Sequence, residues 1–344
     1  MSPERQFLVR LVAPSNSAHT RLWAEAFLLQ GHRPEVVSLS RGQALGFLGK
    51  LFTGVVASLF HRGPAVTVVH SLGKHALASL VLPRGRRHVV VPWGSEVVAA
   101  QSGGLRAWVA RRALMRADLV LVTSQSMADM LAESWPVTRD VTRVISWGVD
   151  DLFLDEPGSS SASSTGSLRR RLGVGDGELL VVAPRGTGAT YRSDEVRKAF
   201  MVARARRANL RLVVLGADTA VMKASEGEVL LPYLPKRELA QLFADADVVV
   251  SIPRWDQRST TVLQAAASGT RLLLSDIGAY REIVALGIEA TLLADPIVPA
   301  LTTALVEAVP LADESVGHNR AVIRQHENQQ RQMERVVHMC ITRS

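Results

Sequence analysis

The polar residues whose spacing suggests chemistry lie in Val248–Val284, VVVSIPRWDQRSTTVLQAAASGTRLLLSDIGAYREIV. Asp256 and Gln264 stand in it with seven residues between them, and Thr260 and Thr261 fall in that interval. The β-branched run closing at Ile252 reads as a buried parallel strand. Pro253–Thr260 reads as a polar loop. Thr260 and Thr261 open an Ala-rich helix through Val262 and Gln264, stopped at Ser268-Gly269, and Arg271–Leu274 is the next strand. A loop at the carboxyl end of such a strand is where open α/β sheets bind ligands. The helix start, with backbone N–H groups and hydroxyls side by side, suits a diphosphate. A second apolar run, Leu179–Ala183, delivers Pro184-Arg185-Gly186 at its end. A guanidinium placed there can hold two phosphate oxygens at once.

Strand–helix alternation carries these residues through the whole chain. Phe7–Val12 is a first strand, followed by a Ser/Asn loop, the helix His19–Leu29, Gly31-His32 and the strand Glu35–Leu39. Ala65–His70, His88–Pro92, an Ala117-Asp118 strand and Val141–Ser146 follow, with Gly73–Leu82, Leu105–Arg116 and Ser126–Glu133 as helices. His88–Pro92 presents Trp93-Gly94-Ser95-Glu96 at its carboxyl end. Pro157–Ser167, PGSSSASSTGS, reads as a linker. Beyond it, Leu168–Leu172 is a short helix and Leu179–Ala183, Arg211–Gly216, Val229–Leu231, Val248–Ile252 and Leu272–Ser275 are strands of a second sheet. The tail from Asn319 to about Met339 reads as one polar helix.

The order Asp256-x7-Gln264, Ala265-Ala266-Ala267-Ser268-Gly269, Ser275-Asp276-Ile277-Gly278 and Arg281-Glu282-Ile283 resembles nucleotide-sugar glycosyltransferases of the GT-B fold, retaining type, which carry glutamate at both ends of the seven-residue interval. Asn16, His19, Trp23-Ala24 and Gly31-His32 add to the resemblance, as do Trp93-Gly94-Ser95-Glu96 and Trp147-Gly148-Val149-Asp150. The resemblance implies two Rossmann-like domains facing across a cleft, with a final helix crossing back to the first. The expected divisions are an acceptor domain over 1–156, a linker over 157–167, a nucleotide-sugar domain over 168–318 and a crossover helix over 319–344. It further implies that Arg185 binds the donor's phosphates. Asp256 would meet the donor sugar's hydroxyls, and Gln264 would meet the ribose diol that a carboxylate ordinarily takes. Thr260, Thr261 and Val262 complete the donor-binding set. Asn16, His19, Trp93, Gly94, Ser95 and Glu96 would line the acceptor side. Thr190 stands where the family has a second cation, and Arg192 is the candidate substitute. Breaking the glycosidic bond places negative charge on the diphosphate, so cations aimed there are the main lever on rate. Gln264 can bond a diol, but without charge assistance.

Composition bounds the remainder. A chain of 344 residues is long for one core, and a 47% hydrophobic content marks it as globular. Residues 1–150 hold 17 Lys and Arg against 9 Asp and Glu, whereas the rest of the chain holds 23 against 23. That asymmetry suits an anionic partner for the first half, such as a membrane surface or a lipid-linked acceptor. Ala44–Phe60 is the most lipid-like stretch, flanked by Arg41 and Arg62 and interrupted by Lys50, as an interfacial helix would be. The single cysteine, Cys340, and the absence of a signal pattern suit the cytoplasm, with peripheral attachment to the membrane's inner face. No cluster has metal-ligand spacing, so neither metal nor cofactor is expected. Sparse aromatics and the lack of a recognition motif argue against nucleic acid. Two alternatives to glycosyl transfer stay open: a nucleotide-sugar 2-epimerase, with Glu96 as its acid/base group, and a non-catalytic GT-B-like protein.

Overall fold

The computed structural model describes residues 6–38, 65–82, 85–154 and 167–342. Its first sheet contains β1 (Leu8–Val12), β2 (Arg33–Val37), β3 (Val66–His70), β4 (Arg87–Val91), β5 (Leu119–Val122) and β6 (Thr142–Val144), in the order β2-β1-β3-β4-β5-β6. The second contains β7 (Leu179–Ala183), β8 (Leu210–Leu215), β9 (Glu228–Leu231), β10 (Val248–Ser251), β11 (Arg271–Ser275) and β12 (Thr291–Leu293), in the order β12-β11-β10-β7-β8-β9. Every pairing is parallel. β3, β4, β5 and β7 are buried along their whole length, because helices cover both faces of each sheet. Alternation divides the second unit's core in two. Leu180, Val182 and Val249 pack with Leu242, Val262 and Leu263, while Leu179, Val181 and Val250 pack with Phe200 and Leu301. Strand order reverses once in each sheet, between β1 and β3 and between β7 and β10. Crevices open at the carboxyl ends of such strands.

The compact units are Met1–Ser146 with Gln330–Ser344, and Trp147–Gln329. The first division therefore falls earlier than the expected 156, and the second later than the expected 318. Val149, Phe153 and Leu154 belong to the second unit's core, which draws the segment after Ser146 into that unit. The tail is also two helices rather than one, Asp313–His326 and Gln329–Ile341. The break is made by β-type pairing: Val149 N–H donates to the Glu327 carbonyl at 2.6 Å, and Gln329 N–H donates to the Val149 carbonyl at 3.0 Å. Gly148 permits it, since its φ is +73° and a Cβ there would lie 2.3 Å from the Gln329 Cα. The helix Gln329–Ile341 groups with the first unit, as a final helix crossing back requires. It buries Cys340, whose thiol burial pushes up to about 12.

Trp93-Gly94-Ser95-Glu96 follows the end of β4, as read from the sequence. Trp93 precedes a helix, Gly94–Gln101, that begins directly at the end of β4. Ala44–Phe60 with Arg41 and Arg62, and the linker up to residue 166, lie outside the described residues.

Candidate functional site

In the second unit the reversal between β7 and β10 brings two loops together. Arg185 leaves the end of β7, and Pro253–Ser259 leaves β10. The Arg185 guanidinium sits 2.7 Å from Asp256 Oδ2 through Nη2 and donates from Nη1 to Ser259 Oγ at 2.5 Å. Its charge lies over the Tyr191 ring, 4.9 Å from the centroid. The Tyr280 hydroxyl donates to the same Asp256 oxygen at 3.1 Å and is paired with Ser251 Oγ at 2.7 Å. Burial is the largest influence on each charge. It works against the Arg185 cation, but Asp256 and the neighbouring tyrosines outweigh it and hold the guanidinium above its ordinary range. Burial raises the Asp256 carboxyl, which Arg185, the Gln257 N–H and Tyr280 pull back in part. Burial likewise lifts the Tyr280 hydroxyl well above its usual range, so it stays a donor. Arg185 Nε is buried without a protein partner. The result is a desolvated cation with one N–H unclaimed, fixed beside a helix start.

Ser259 is that helix's cap. Its Oγ accepts the Val262 N–H at 3.4 Å, and its carbonyl accepts the Leu263 N–H at 3.1 Å. The backbone N–H groups of Thr260 and Thr261 precede the first helical bond, and both residues are half-buried. Val262 is different: its side chain is wholly in the core and its N–H serves the cap, which leaves it no group to offer a ligand. Gln264 is half-buried on the following turn.

Arg192 is drawn elsewhere. Its backbone is left-handed, at φ 55°, and its side chain pairs with Glu195 at 3.4 Å and Asp295 at 3.0 Å. It lines a neighbouring cavity of about 310 Å³ with Pro253, Arg254, Asp276 and Asp295, at the ends of β10 to β12. Two carboxylates thus hold the guanidinium of Arg192 at this neighbouring cavity. Thr190 contributes its carbonyl to the Arg254 N–H at 3.0 Å, which ties this segment to the β10 loop.

Two features were not legible in the sequence. Arg258, from the same loop, pairs with Glu327 at 2.9 Å and Glu282 at 3.7 Å. Tyr233, after β9, lies against Gly186 and Gly216 at the ends of β7 and β8, where a Cβ on Gly216 would sit 2.5 Å from its ring. Both are partnerships between distant segments, and no local motif announces them.

In the first unit the reversal between β1 and β3 gathers a separate cluster. His19, at the start of the helix Ala18–Leu29, packs tilted against Trp93, with ring centroids 4.8 Å apart and the planes at 55°. His70, at the end of β3, meets the edge of Trp23 at 4.6 Å and lies 6.3 Å from Trp93. Burial, with His19 and His75 nearby, lowers His70 to about 3, so its ring is neutral. Glu96 is half-buried, and its Oε2 accepts the Leu72 N–H at 2.8 Å. Bonds from Ser71, Trp93 and Gly73 also reach that carboxyl, though burial still raises it. Glu96 thus caps the turn before the helix Lys74–Val81 from outside it. Asn16 is exposed, and its carbonyl accepts from Arg21 at 3.1 Å. Gly94 and Ser95 form the first turn of the helix that Glu96 belongs to. Among the described residues no group of His, Cys, Asp and Glu has the arrangement of a metal site.

Comparison with known proteins follows the same two units. Residues 7–151 match the model described as Glycosyltransferase Family 4, and residues 190–309 match Glycosyl transferases group 1. Alpha-maltose-1-phosphate synthase of Mycolicibacterium smegmatis is 25% identical over 296 residues, covering 79% of this chain and 68% of the relative. The enzyme of that name from Mycobacterium tuberculosis is 26% identical over 258 residues, with 66% and 64% covered. The chain thus spans about two thirds of the length of these curated relatives. Anabaena HepE, solved with UDP and glucose, superposes with a TM-score of 0.73 at 13% identity, covering 97% of this chain and 98% of HepE. Sucrose-phosphate synthase of Thermosynechococcus elongatus gives 0.73 at 14% identity, with 97% and 98% covered. WaaG, a glycosyltransferase of lipopolysaccharide biosynthesis, gives 0.71 at 13%, with 97% and 99% covered. The two parallel sheets give the chain the GT-B fold, and each unit carries a match to a glycosyltransferase family model.

Proposed function

We propose that the protein transfers a hexose from a nucleotide-sugar donor to an acceptor hydroxyl with retention of configuration, and that the donor occupies the second unit. The observation that carries this reading is the buried Arg185 cation at the β7/β10 reversal, set against the start of the helix Thr260–Ser268 with its Nε–H unclaimed. In this reading Arg185 and the Thr260 and Thr261 N–H groups take the charge that develops on the diphosphate as the sugar leaves. Asp256 meets the sugar's hydroxyls, and Gln264 meets the ribose. The acceptor enters against the His19, Trp93 and Glu96 side of the first unit. HepE solved with UDP-glucose supports a nucleotide-sugar donor. The proposal invokes no metal and no cofactor. A thermal-shift series with UDP-, GDP-, ADP- and TDP-sugars tests it, because a ligand that binds only the folded state raises the melting temperature. At least one donor is expected to do so, and no shift with any of them would overturn the reading.

Gln264→Glu is expected to leave donor affinity unchanged or to tighten it, since a carboxylate adds charge assistance to a ribose contact. Calorimetry of wild type and variant checks this. A marked loss of affinity would show that Gln264 does not face the ribose.

One observation favours a second reading. Asp256 already neutralises Arg185 at 2.7 Å, as it would in a GT-B protein that binds without turnover. Donor binding in the thermal-shift series, with no product in any acceptor screen, would select that reading.

A further inference from the structure

We infer that Glu96 is a positioning residue for the acceptor side of the first unit. Its one carboxylate fixes the starts of two helices, Lys74–Val81 and Gly94–Gln101, and through them the Trp93 ring. The role in transfer rests on the acceptor reading proposed above, whereas the hold on the two helix starts does not.

β3 and β4 pair in parallel, and a short helix follows the end of each. Neither helix is capped by the side chain of the residue before it, since Gly73 has none and the Trp93 indole accepts no hydrogen bond. The first backbone N–H groups therefore need partners from elsewhere. Glu96 is the third residue of its helix, the position from which a glutamate reaches back to the N–H of the residue before the first turn. It does so here. The Trp93 N–H bonds to its carboxylate, while the Trp93 carbonyl accepts the Glu96 N–H at 3.0 Å. The same carboxylate also crosses to the end of β3. Its Oε2 accepts the Leu72 N–H at 2.8 Å, and the Ser71 hydroxyl and the Gly73 N–H bond to it as well. All these partners are N–H and O–H groups, with no cation among them, and they fill the lone-pair sites of a carboxylate.

The turn that Glu96 grips is strained. Ser71 has φ 134°, a region natural to glycine and costly for serine. It is buried, its N–H donates to the Val91 carbonyl at 3.0 Å, and its Oγ accepts the Gly73 N–H at 2.9 Å. Such strain persists only where the surroundings hold it, and Glu96 bonds to all three residues of the turn. Gly73 leaves room for the grip, because a Cβ there would lie 3.1 Å from Glu96 Oε1. A carboxylate committed to two helix starts acts on transfer through what it holds. That is Trp93, whose ring packs against His19 at 4.8 Å.

The test is hydrogen exchange of the full chain, read over residues 71–75 and 92–97 in wild type, Glu96→Gln and Gly73→Ala. An amide has one acceptor oxygen where the carboxylate has two. Glu96→Gln is therefore expected to speed exchange at Leu72, Gly73 and Trp93 together, by about tenfold. Gly73→Ala should do the same at Leu72 and Trp93 without removing a charge. Transfer is then measured from UDP-, GDP-, ADP- and TDP-glucose to free hexoses, hexose phosphates and alkyl glucosides as probe acceptors. Both variants should raise the KM of the acceptor that wild type uses by about tenfold, with the donor KM unchanged. A lower melting temperature with the wild-type acceptor KM would make Glu96 a structural cap alone and overturn the inference. So would wild-type exchange at Leu72, Gly73 and Trp93 in Glu96→Gln. Failure of the donor reading shows differently, as the lack of a thermal shift with every donor, and exchange needs no ligand to decide the hold.

Discussion

Arg185→Ala is expected to lower turnover by about 3–4 kcal/mol of transition-state stabilisation, a few hundredfold or more. Arg185 offers a buried positive charge at the β7/β10 reversal, and in the proposed donor reading a diphosphate leaving group gains negative charge beside it as the bond breaks. From the sequence alone this variant would be expected to fold normally, because a Pro-Arg-Gly turn after a strand buries little. The geometry changes that expectation. Asp256 is held by Arg185 at 2.7 Å in a desolvated site, so truncating the arginine leaves a carboxylate with only Tyr280 and the Gln257 N–H against it. A stability loss should accompany the loss of rate. Arg185→Lys separates the two effects. It keeps the charge for Asp256 but cannot reach Asp256 and Ser259 together as the planar fork does. Turnover well below wild type in a lysine variant of near-normal melting temperature supports the assignment. Near wild-type turnover in a folded Arg185→Ala protein would sink it.

Arg258→Met is expected to destabilise the second unit by about 3 kcal/mol. Glu327 is 1% exposed, and Arg258 is its cation at 2.9 Å. Removing the arginine leaves that carboxylate buried without its charge partner. Adding Glu327→Gln should recover much of the loss, because a neutral amide costs less to bury than an unpaired charge. Denaturant unfolding of the two single variants and the double variant measures the coupling. A single Arg258→Met protein within about 0.5 kcal/mol of wild type would show that the pair contributes nothing. The pair also has a place in the site. Arg258 lies between Asp256 and Ser259 in the loop that grips Arg185, while the Glu327 carbonyl receives the Val149 N–H where the chain leaves the second unit. One glutamate therefore anchors the loop after β10 through its side chain and the segment at Val149 through its backbone. In the donor reading, donor affinity should fall in Arg258→Met along with stability.

Much of the fold was legible because its signals are local. Runs such as Leu-Leu-Val-Val-Ala and Val-Val-Val-Ser can be buried on both faces only in a parallel sheet. Ser268-Gly269 also stops its helix as read, with Gly269 left-handed at φ +95°. The position of Arg185 at a strand end, and of Thr260 and Thr261 at a helix start, follows from the same local rules. What spacing could not decide was partnership. Arg192 had the right charge near the right place, yet Glu195 and Asp295 claim it, and Asp295 is remote in sequence. Val262 had the right position in the motif, but the helix turns it into the core. Glu96 was read as an acceptor-side residue at a strand end, and its bonds to the Leu72 and Gly73 turn could not be read from spacing. Tyr280, Arg258 and Glu327 carry no recognisable pattern at all. Hydrophobic periodicity determines which residues face a core, since burial of each depends on its own side chain. Which charge meets which depends on loops from different strands converging at one sheet reversal, and only the folded chain settles that.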